Sequence, residues 1–346
     1  MAGLASKDQV GVRQDLSDLI VEVDMRNTPV FTMLPKGSEL VNMLSSWQFE
    51  TLLTPTLKGV LSDKDRSQFE NHANRGMLYA HCKIAERAPM VGRVAQNVNQ
   101  VAGVGKKKEM TRSINNALKV FKRDIEVSLC SGLEGNAETG ETPAQIRGLF
   151  CAGQPALQTD VQTAHPVAAR TPADAIYTGS WAALSEDIIR DTMMRAIWEE
   201  TGGLVDGFQM VVGPDLKSLI TSWMIFDNKH VSSTSAALRR FDNSTNEDEV
   251  TLHACVGCIS GDYGDIELTP TPWLRYDIED GTSANLTLRR RSGIGFDPEN
   301  HRMRFNQTPA FRAFEDKGGG PRGLIDAIYT REDLNPRRLL VIAPVG

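Results

Sequence analysis

The chain has 346 residues, and its 38 Lys and Arg residues against 44 Asp and Glu residues give a formal net charge of −6. This acidic balance argues against a dedicated nucleic-acid-binding protein, in which basic residues are in excess. Hydrophobic residues make up 40% and charged residues 24% of the chain, as is ordinary for a globular protein. At this length we expect about two domains, because single cores stop growing at roughly 250–300 residues.

The start of the chain carries neither the apolar core of a secretory signal nor an Arg-rich transit pattern. No window reaches about 18 consecutive apolar residues, so no membrane span is predicted. The five cysteines are odd in number and scattered, unlike the framework of a disulfide-stapled secreted fold. We therefore expect free thiols and a cytoplasm-like compartment.

Residues 1–41 hold few apolar positions and are interrupted by Pro29 and Pro35. Such a stretch cannot bury itself as an independent unit, because it has too little apolar surface to offset the entropy of ordering. We predict an arm that lies across another surface.

Two strands are predicted next, over residues 44–53 and 78–84, since apolar and polar residues alternate in both. The polar residues 54–76 between them are too many for a tight turn, and loops of this length tend to be functional or disordered. We predict a long projecting hairpin.

A helix is predicted over residues 106–131, with Gly132 as its C-terminal stop. Its apolar residues recur three or four positions apart, at Met110, Ile114, Leu118, Phe121, Ile125 and Leu129. A second helix is predicted over 180–200, ending at Gly202. The first of these helices presents one apolar face.

The rest of the chain is predicted to be mostly extended, apart from a third helix that starts at Pro214 and covers 216–226. The predicted strands are 208–212, 250–260, 265–269, 273–276, 285–289, 323–329 and 339–344. This order of elements predicts an α+β fold with few long helices and a strand-rich second half.

His253, Cys255 and Cys258 place three zinc-ligand side chains within six residues. A structural zinc site normally needs a second pair of ligands, and in a strand positions 255 and 258 point to opposite faces. Only a sharp turn at Gly257 would bring both thiolates to one ion. We therefore favour small buried thiols, and a metal-dependent enzyme at these residues remains the most distant alternative.

The lysines of Gly103–Lys108 follow two glycines, but Gln100 and Lys107 stand where a phosphate-binding loop requires Gly and Ser or Thr. Lys106, Lys107 and Lys108 are either solvated or contact acidic groups of a partner or a phosphate backbone. No nucleophile elbow, zinc-protease helix or dinucleotide fingerprint occurs. We predict neither an enzyme nor a cofactor.

Several short motifs occur in a characteristic order along the chain. They are DLSDLI at 15–20, NTPVF at 27–31, LPKG at 34–37, Trp47, NVNQV at 97–101, KRDIE at 122–126 and GDYGDI at 261–266. In this order the sequence resembles the major capsid proteins of tailed double-stranded DNA phages with the Hong Kong 97 fold, in the SU-ten branch. The residues at 253–258 depart from the family pattern, and the segment 277–312 is not placed by it.

The resemblance implies a division of nearly the whole chain. It implies an N-terminal arm at 1–41, an extended loop at 42–92, a peripheral domain at 93–179 with a spine helix at 106–131, an axial domain at about 180–260, and return strands to the peripheral domain and C-terminus at 261–346.

The implied function is that of a structural subunit which assembles as hexamers and pentamers into the icosahedral head of a tailed phage. Its implied contacts with neighbouring subunits involve Phe31, Trp47, Lys58, Lys64 and Arg66. Contacts with DNA or an acidic partner would involve Lys106, Lys107 and Lys108.

The implied partners are other copies of the chain, a separate scaffolding protein, a portal, a decoration protein and non-specifically packaged double-stranded DNA on the inner face, with no membrane. The implied location is the virion capsid, preceded by the host cytoplasm. An encapsulin-like compartment shell, which encloses enzymes, is the nearer alternative.

Overall fold

The computed structural model describes residues 27–52, 75–97, 109–226, 241–242, 251–252, 256–274 and 283–344. The α-helices are α1 Pro29–Met33, α2 Arg93–Asn97, α3 Glu109–Leu129, α4 Leu149–Gly153, α5 Arg195–Thr201, α6 Pro214–Phe226 and α7 Ser283–Arg291. The strands are β1 Leu44–Glu50, β2 Arg75–His81, β3 Lys83–Arg87, β4 Ile176–Tyr177, β5 Phe208–Val212, β6 Phe241–Asp242, β7 Thr251–Leu252, β8 Cys258–Gly261, β9 Gly264–Pro270, β10 Gly293–Phe296, β11 His301–Phe314, β12 Arg322–Asp333 and β13 Leu339–Ile342.

The chain forms two compact units. Among the described residues, the smaller unit consists of 85–97, 109–121 and 309–327, and the larger unit holds the others. In the smaller unit the Asp316 carboxylate accepts hydrogen bonds from the N–H groups of Gly318 (2.9 Å) and Gly320 (3.0 Å). Gly320 has a φ of 115°, which a side chain rarely tolerates. This turn joins β11 to β12.

The core of the larger unit is a six-stranded mixed sheet in the order β4-β13-β10-β5-β9-β8. β10 is antiparallel to both of its neighbours, and β5 is parallel to β9. All residues of β10 and β13 are buried. Strands that are apolar throughout are typical of a sheet covered on both faces.

A two-stranded hairpin leaves this unit, formed by β1 and β2 in antiparallel register. Phe49 lies opposite Gly76. A β-carbon on residue 76 would lie only 2.3 Å from the Phe49 ring, so a larger residue would clash there. The predicted first strand is thus confirmed over 44–50. Most of the predicted loop, 53–74, lies outside the described residues.

The second predicted strand, 78–84, is wrong as a single element. The chain leaves the hairpin at Cys82, and β3 then joins a separate three-stranded sheet in the order β11-β12-β3. The change of sheet is held by two hydrogen bonds, from Cys82 N to Met43 O (3.1 Å) and from Thr330 Oγ1 to His81 O (2.8 Å). An alternating sequence does not reveal which sheet a strand joins.

The long helix predicted over 106–131 is confirmed over its described part, as α3. The C-terminal half of its apolar stripe, at Phe121, Ile125 and Leu129, is fully buried. α3 ends at Leu129, and Gly132 does not adopt the left-handed conformation predicted for a helix stop.

The predicted helix over 180–200 is wrong as one α-helix. The segment contains a 3₁₀ turn at Trp181–Ala183, a π-helical segment at Ile188–Met194 and then α5. A π-helix brings residues five apart onto one face, so Ile189 and Met194 are both fully buried. Its predicted end is confirmed, since Gly202 has a φ of 65°.

Two other predicted strands are also wrong. Residues 285–289 lie within α7, whose last turn carries three arginines where the helix dipole favours positive charge. Residues 273–274 are not in a strand. β10 and most of β11 occupy the segment 277–312 that the resemblance did not place.

The strands predicted at 208–212, 265–269, 323–329 and 339–344 and the helix from Pro214 are confirmed, within a few residues at their ends. The mixture of helices and sheets confirms the α+β class.

Candidate assembly surfaces and their anchors

The segment that precedes the hairpin, residues 27–40, is held by a buried carboxylate. Glu126 on α3 is fully buried and accepts hydrogen bonds from the backbone N–H groups of Val30 (3.0 Å) and Phe31 (2.7 Å). These N–H groups belong to the first turn of α1, and N–H groups in the first turn of a helix have no partner within that helix. Burial raises the pKa of Glu126 to about 7, against the opposing effect of the two N–H donors.

Backbone bonds continue this attachment along the segment. Gly37 N donates to Met303 O (2.7 Å), Met303 N donates to Pro35 O (2.9 Å), and Leu40 N donates to Phe305 O (3.1 Å). The segment therefore lies along the edge of β11 as a short parallel addition.

A second buried carboxylate, Glu332, joins this segment to the hairpin. Glu332 accepts hydrogen bonds from Arg302 Nε (2.7 Å), Arg304 Nη1 (2.6 Å) and the Ser45 hydroxyl. We call these four residues the Glu332 cluster. Burial disfavours the charged carboxylate, but the donors from Ser45, Arg304 and Arg302 lower its pKa below the ordinary value.

Arg304 extends the Glu332 cluster to the chain that leads into the hairpin. Its guanidinium also donates to the main-chain oxygens of Ser38 (2.9 Å) and Glu39 (2.6 Å). Three parts of the larger unit thus meet at one carboxylate: the segment 27–40, the first strand of the hairpin and the β11–β12 sheet.

The next residue, Asp333, organises a separate buried cluster. Its carboxylate contacts His301 Nδ1 (2.8 Å) and Arg331 Nη2 (2.7 Å), and His165 Nε2 lies 3.9 Å away. Its main-chain oxygen accepts from Trp47 Nε1 (3.2 Å). Although burial acts in the opposite direction, Arg331 and His301 hold the pKa of Asp333 well below its usual range.

His165 is almost fully buried and carries no charge at neutral pH. Burial and the nearby Arg147 guanidinium lower its pKa to about 3, despite the attraction of Asp333. Arg147 is itself paired with Glu134 at 2.7 Å. The charged side chains buried near His165 are therefore paired with opposite charges, and the imidazole of His165 itself is neutral.

The residues predicted for contacts with neighbouring subunits, DNA or an acidic partner fall into two groups. Phe31 lies in α1 and Trp47 in β1, both half-buried. The others lie outside the described residues: Lys58, Lys64, Arg66, Lys106, Lys107 and Lys108.

The candidate zinc ligands are not brought together within the described part of the chain. His253 and Cys255 lie outside it, and Cys258 opens β8. The prediction that Cys258 is buried is wrong, because strand alternation places the neighbouring Ile259 in the core and the Cys258 thiol in solvent. Among the described residues, no three or more His, Cys, Asp or Glu side chains are grouped to hold a metal ion.

Sequence reasoning missed the buried carboxylates Glu126 and Glu332. Ser45 and Glu332 are 287 positions apart, so spacing gives no indication of their contact. The signal that was available is a run of charged residues, Arg331, Glu332 and Asp333, directly after an apolar strand.

Across the described helices, none has the length and apolar character that a bilayer span requires.

Comparison with known proteins finds one family model that matches the chain. A family model described as SU10 major capsid protein matches residues 4–346. A comparison with curated proteins finds no match.

Several solved structures are similar over almost the full length. The capsid subunit of cyanophage A-1(L) has a TM-score of 0.66 at 11% identity, covering 98% of this chain and 97% of that chain. The capsid of cyanophage P-SCSP1u gives 0.57 at 10% identity, covering 100% and 96%. The capsid of a native GTA particle gives 0.55 at 9% identity, covering 99% and 98%. The predicted capsid-type fold is confirmed.

Replacing Glu332 with glutamine tests the Glu332 cluster. The variant leaves two arginines without their shared counter-charge, so the free energy of unfolding is expected to fall by roughly 3 kcal/mol, as for other broken buried pairs. Urea denaturation measures the change. Glu299→Gln, at an exposed position, is the matched control and should change stability by less than about 0.5 kcal/mol. Equal effects of the two variants contradict the assignment.

The neutral His165 predicts acid sensitivity. Its pKa is about 3 in the folded chain and 6.5 ordinarily, so between these values the unfolded chain binds a proton that the folded chain does not. The contribution of His165 to the free energy of unfolding therefore falls as the pH falls, by about 1.4 kcal/mol per pH unit. The contribution of Glu126 to the free energy of unfolding has the opposite sign between pH 4.5 and 7. The test therefore compares the native chain with a variant that lacks only His165.

Denaturation of the native chain and of His165→Gln between pH 6.5 and 4 measures that difference. The variant is expected to lose less stability on acidification. Parallel pH profiles of the two proteins contradict the prediction.

Proposed function

The chain belongs to the SU10 major capsid protein family, and we propose that its copies assemble as hexamers and pentamers into the icosahedral head of a tailed phage. A role as a structural subunit of the virion shell follows from the family, whose match over residues 4–346 carries the conclusion. The proposal assigns the chain no catalytic activity. It adds double-stranded DNA as the content of the head.

The proposal divides the chain as the family pattern suggests. It assigns an arm to 1–41, an extended loop to 42–92, a peripheral domain to 93–179 with a spine helix at 106–131, an axial domain to about 180–260, and return strands to 261–346. Two supports are the anchored segment 27–40 and the hairpin that leaves the body.

The hairpin has the surface expected of an inter-subunit element. Its root is held by Ser45 and Trp47, whereas Met77 is 44% exposed and Leu52 is 95% exposed. Apolar side chains left in water on an anchored hairpin are stabilised when a neighbour covers them. Phe31 and Trp47 use N–H groups inside the subunit, and their half-exposed rings are proposed to contact neighbours, together with Lys58, Lys64 and Arg66.

The other partners are proposed on chemical grounds. A net charge of −6 suits a wall along which packaged DNA must move without binding tightly. Lys106, Lys107 and Lys108 are proposed to contact DNA or an acidic partner. A separate scaffolding protein, a portal and a decoration protein complete the proposed set.

Electron microscopy tests the proposal. The full chain, expressed with a scaffolding protein, is expected to form closed shells with capsomers of five-fold and six-fold symmetry. A variant lacking residues 1–26 keeps all contacts described for the segment 27–40, so it should fold normally but form fewer shells. A monodisperse monomer or dimer of the full chain contradicts the proposal, as do shells filled with cargo enzymes.

A further inference from the structure

The first turn of the segment 27–40 is bound to a buried carboxylate by neutral donors. Glu126 accepts hydrogen bonds from Val30 N (3.0 Å), Phe31 N (2.7 Å) and the Cys130 thiol (3.9 Å). Burial raises the pKa of the Cys130 thiol well above its ordinary value, so the thiol carries no charge. Among the described residues, none of the hydrogen-bond partners of Glu126 is therefore a cation.

Docking of residues 27–34 helps to cover this carboxylate. Val30 and Leu34 are buried, and the indole N–H of Trp273 donates to Asn27 O (2.9 Å). If these residues leave the larger unit, Glu126 loses both N–H donors and its oxygens become open to water. The carboxyl group thus has different surroundings in the docked and the undocked state.

A group whose surroundings differ between two states has a different pKa in each, and the equilibrium between the states then depends on pH. Burial acts more strongly on Glu126 than the N–H groups of Phe31 and Val30, and it raises the pKa of the docked carboxyl from 4.5 to about 7. Because the raised value belongs to the docked state, docking is strongest at acid pH. It weakens as the pH rises from 4.5 to 7, where undocking releases a proton.

The charged groups beside Glu126 keep their charge over this range. Arg331, on β12, acts on the neighbouring thiol and is paired with Asp333 at 2.7 Å. The pKa of Asp333 lies well below its usual range. Arg123, on α3, lies over the Trp273 ring, and arginine is not deprotonated in proteins. The change in charge that acts on the first turn is therefore the titration of Glu126.

We propose that residues 27–34 form a pH-sensitive latch, which docks while Glu126 is neutral and opens as Glu126 becomes charged. The consequence for assembly rests on the proposed function, in which these residues belong to the arm. There the latch makes the start of the arm respond to pH.

The rest of the segment supplies an internal control. Gly37 N and Leu40 N donate to the main-chain oxygens of Met303 and Phe305. Main-chain oxygens do not titrate, so these two bonds are expected to open to the same extent at each pH.

Hydrogen exchange of the unassembled full chain tests the latch. Exchange at the Val30 and Phe31 amides, resolved by fragmentation in the mass spectrometer and divided by the intrinsic rate at each pH, gives the opening equilibrium. The pKa values of 4.5 and about 7 predict that opening rises about 40-fold between about pH 5 and 7. The Gly37 and Leu40 amides should show no such rise. A flat profile at Val30 and Phe31, or opening that falls toward neutral pH, overturns the proposal.

Two substitutions identify the titrating group. Glu126→Gln keeps the shape of the side chain and removes its proton equilibrium, so opening at the two amides should change less than about twofold over this range. Trp273→Phe removes the bond to Asn27 O and keeps the carboxyl group. It should raise opening at every pH and retain the rise of the native chain, which keeps the test decisive if Glu126→Gln does not fold. The native rise in folded Glu126→Gln, or its absence from Trp273→Phe, overturns the proposal.

The outcomes separate this inference from the proposed function. The exchange experiment uses subunits in solution, so a latch that does not respond to pH leaves the capsid role intact. Absence of shells from the native chain contradicts the proposed function and does not alter the exchange result.

Discussion

The carboxylate of Glu332 is the interaction on which the arrangement of the larger unit depends. It is fully buried and receives donors from two arginines and one serine. Removing such charges from water is costly, so a buried ion pair is weak evidence for stability. Its effect here is to fix position: the segment 27–40, the hairpin root and the β11–β12 sheet share one partner. The contacts with neighbouring subunits that we propose require these extended pieces to leave the larger unit at defined places.

Strand geometry explains how two charge clusters arise from adjacent residues. Successive side chains of a strand point to opposite faces, so the side chains of Glu332 and Asp333, at the end of β12, lie on opposite faces of the sheet. The same alternation on β11 places Arg302 beside Glu332 and His301 beside Asp333. One short stretch of paired strands therefore anchors the hairpin on one face and the buried histidines on the other.

The sequence predicted the elements whose pattern is local. α3, β5 and β12 each follow from one apolar period, and the order of motifs pointed to the capsid fold. The π-helical segment at Ile188–Met194 was missed because its five-residue spacing resembles an ordinary helix. α7 was taken for a strand because Leu286 and Leu288 alternate with polar residues. Of the anchors, neither Glu126 nor Glu332 was found, since Phe31 lies 95 positions from Glu126, and the partners of Glu332 lie 28 to 287 positions away.

The anchors are made within one chain, and we propose that the surfaces beyond them contact other chains. A high-resolution electron cryo-microscopy map of the assembled particle tests it most directly. We expect Glu332 to be bound by Arg302, Arg304 and Ser45 of its own chain, and the hairpin beyond Glu50 to be covered by a different subunit. A map in which Ser45 or Arg304 pairs with a carboxylate of a neighbouring subunit, or in which the hairpin lies only on its own chain, contradicts this arrangement.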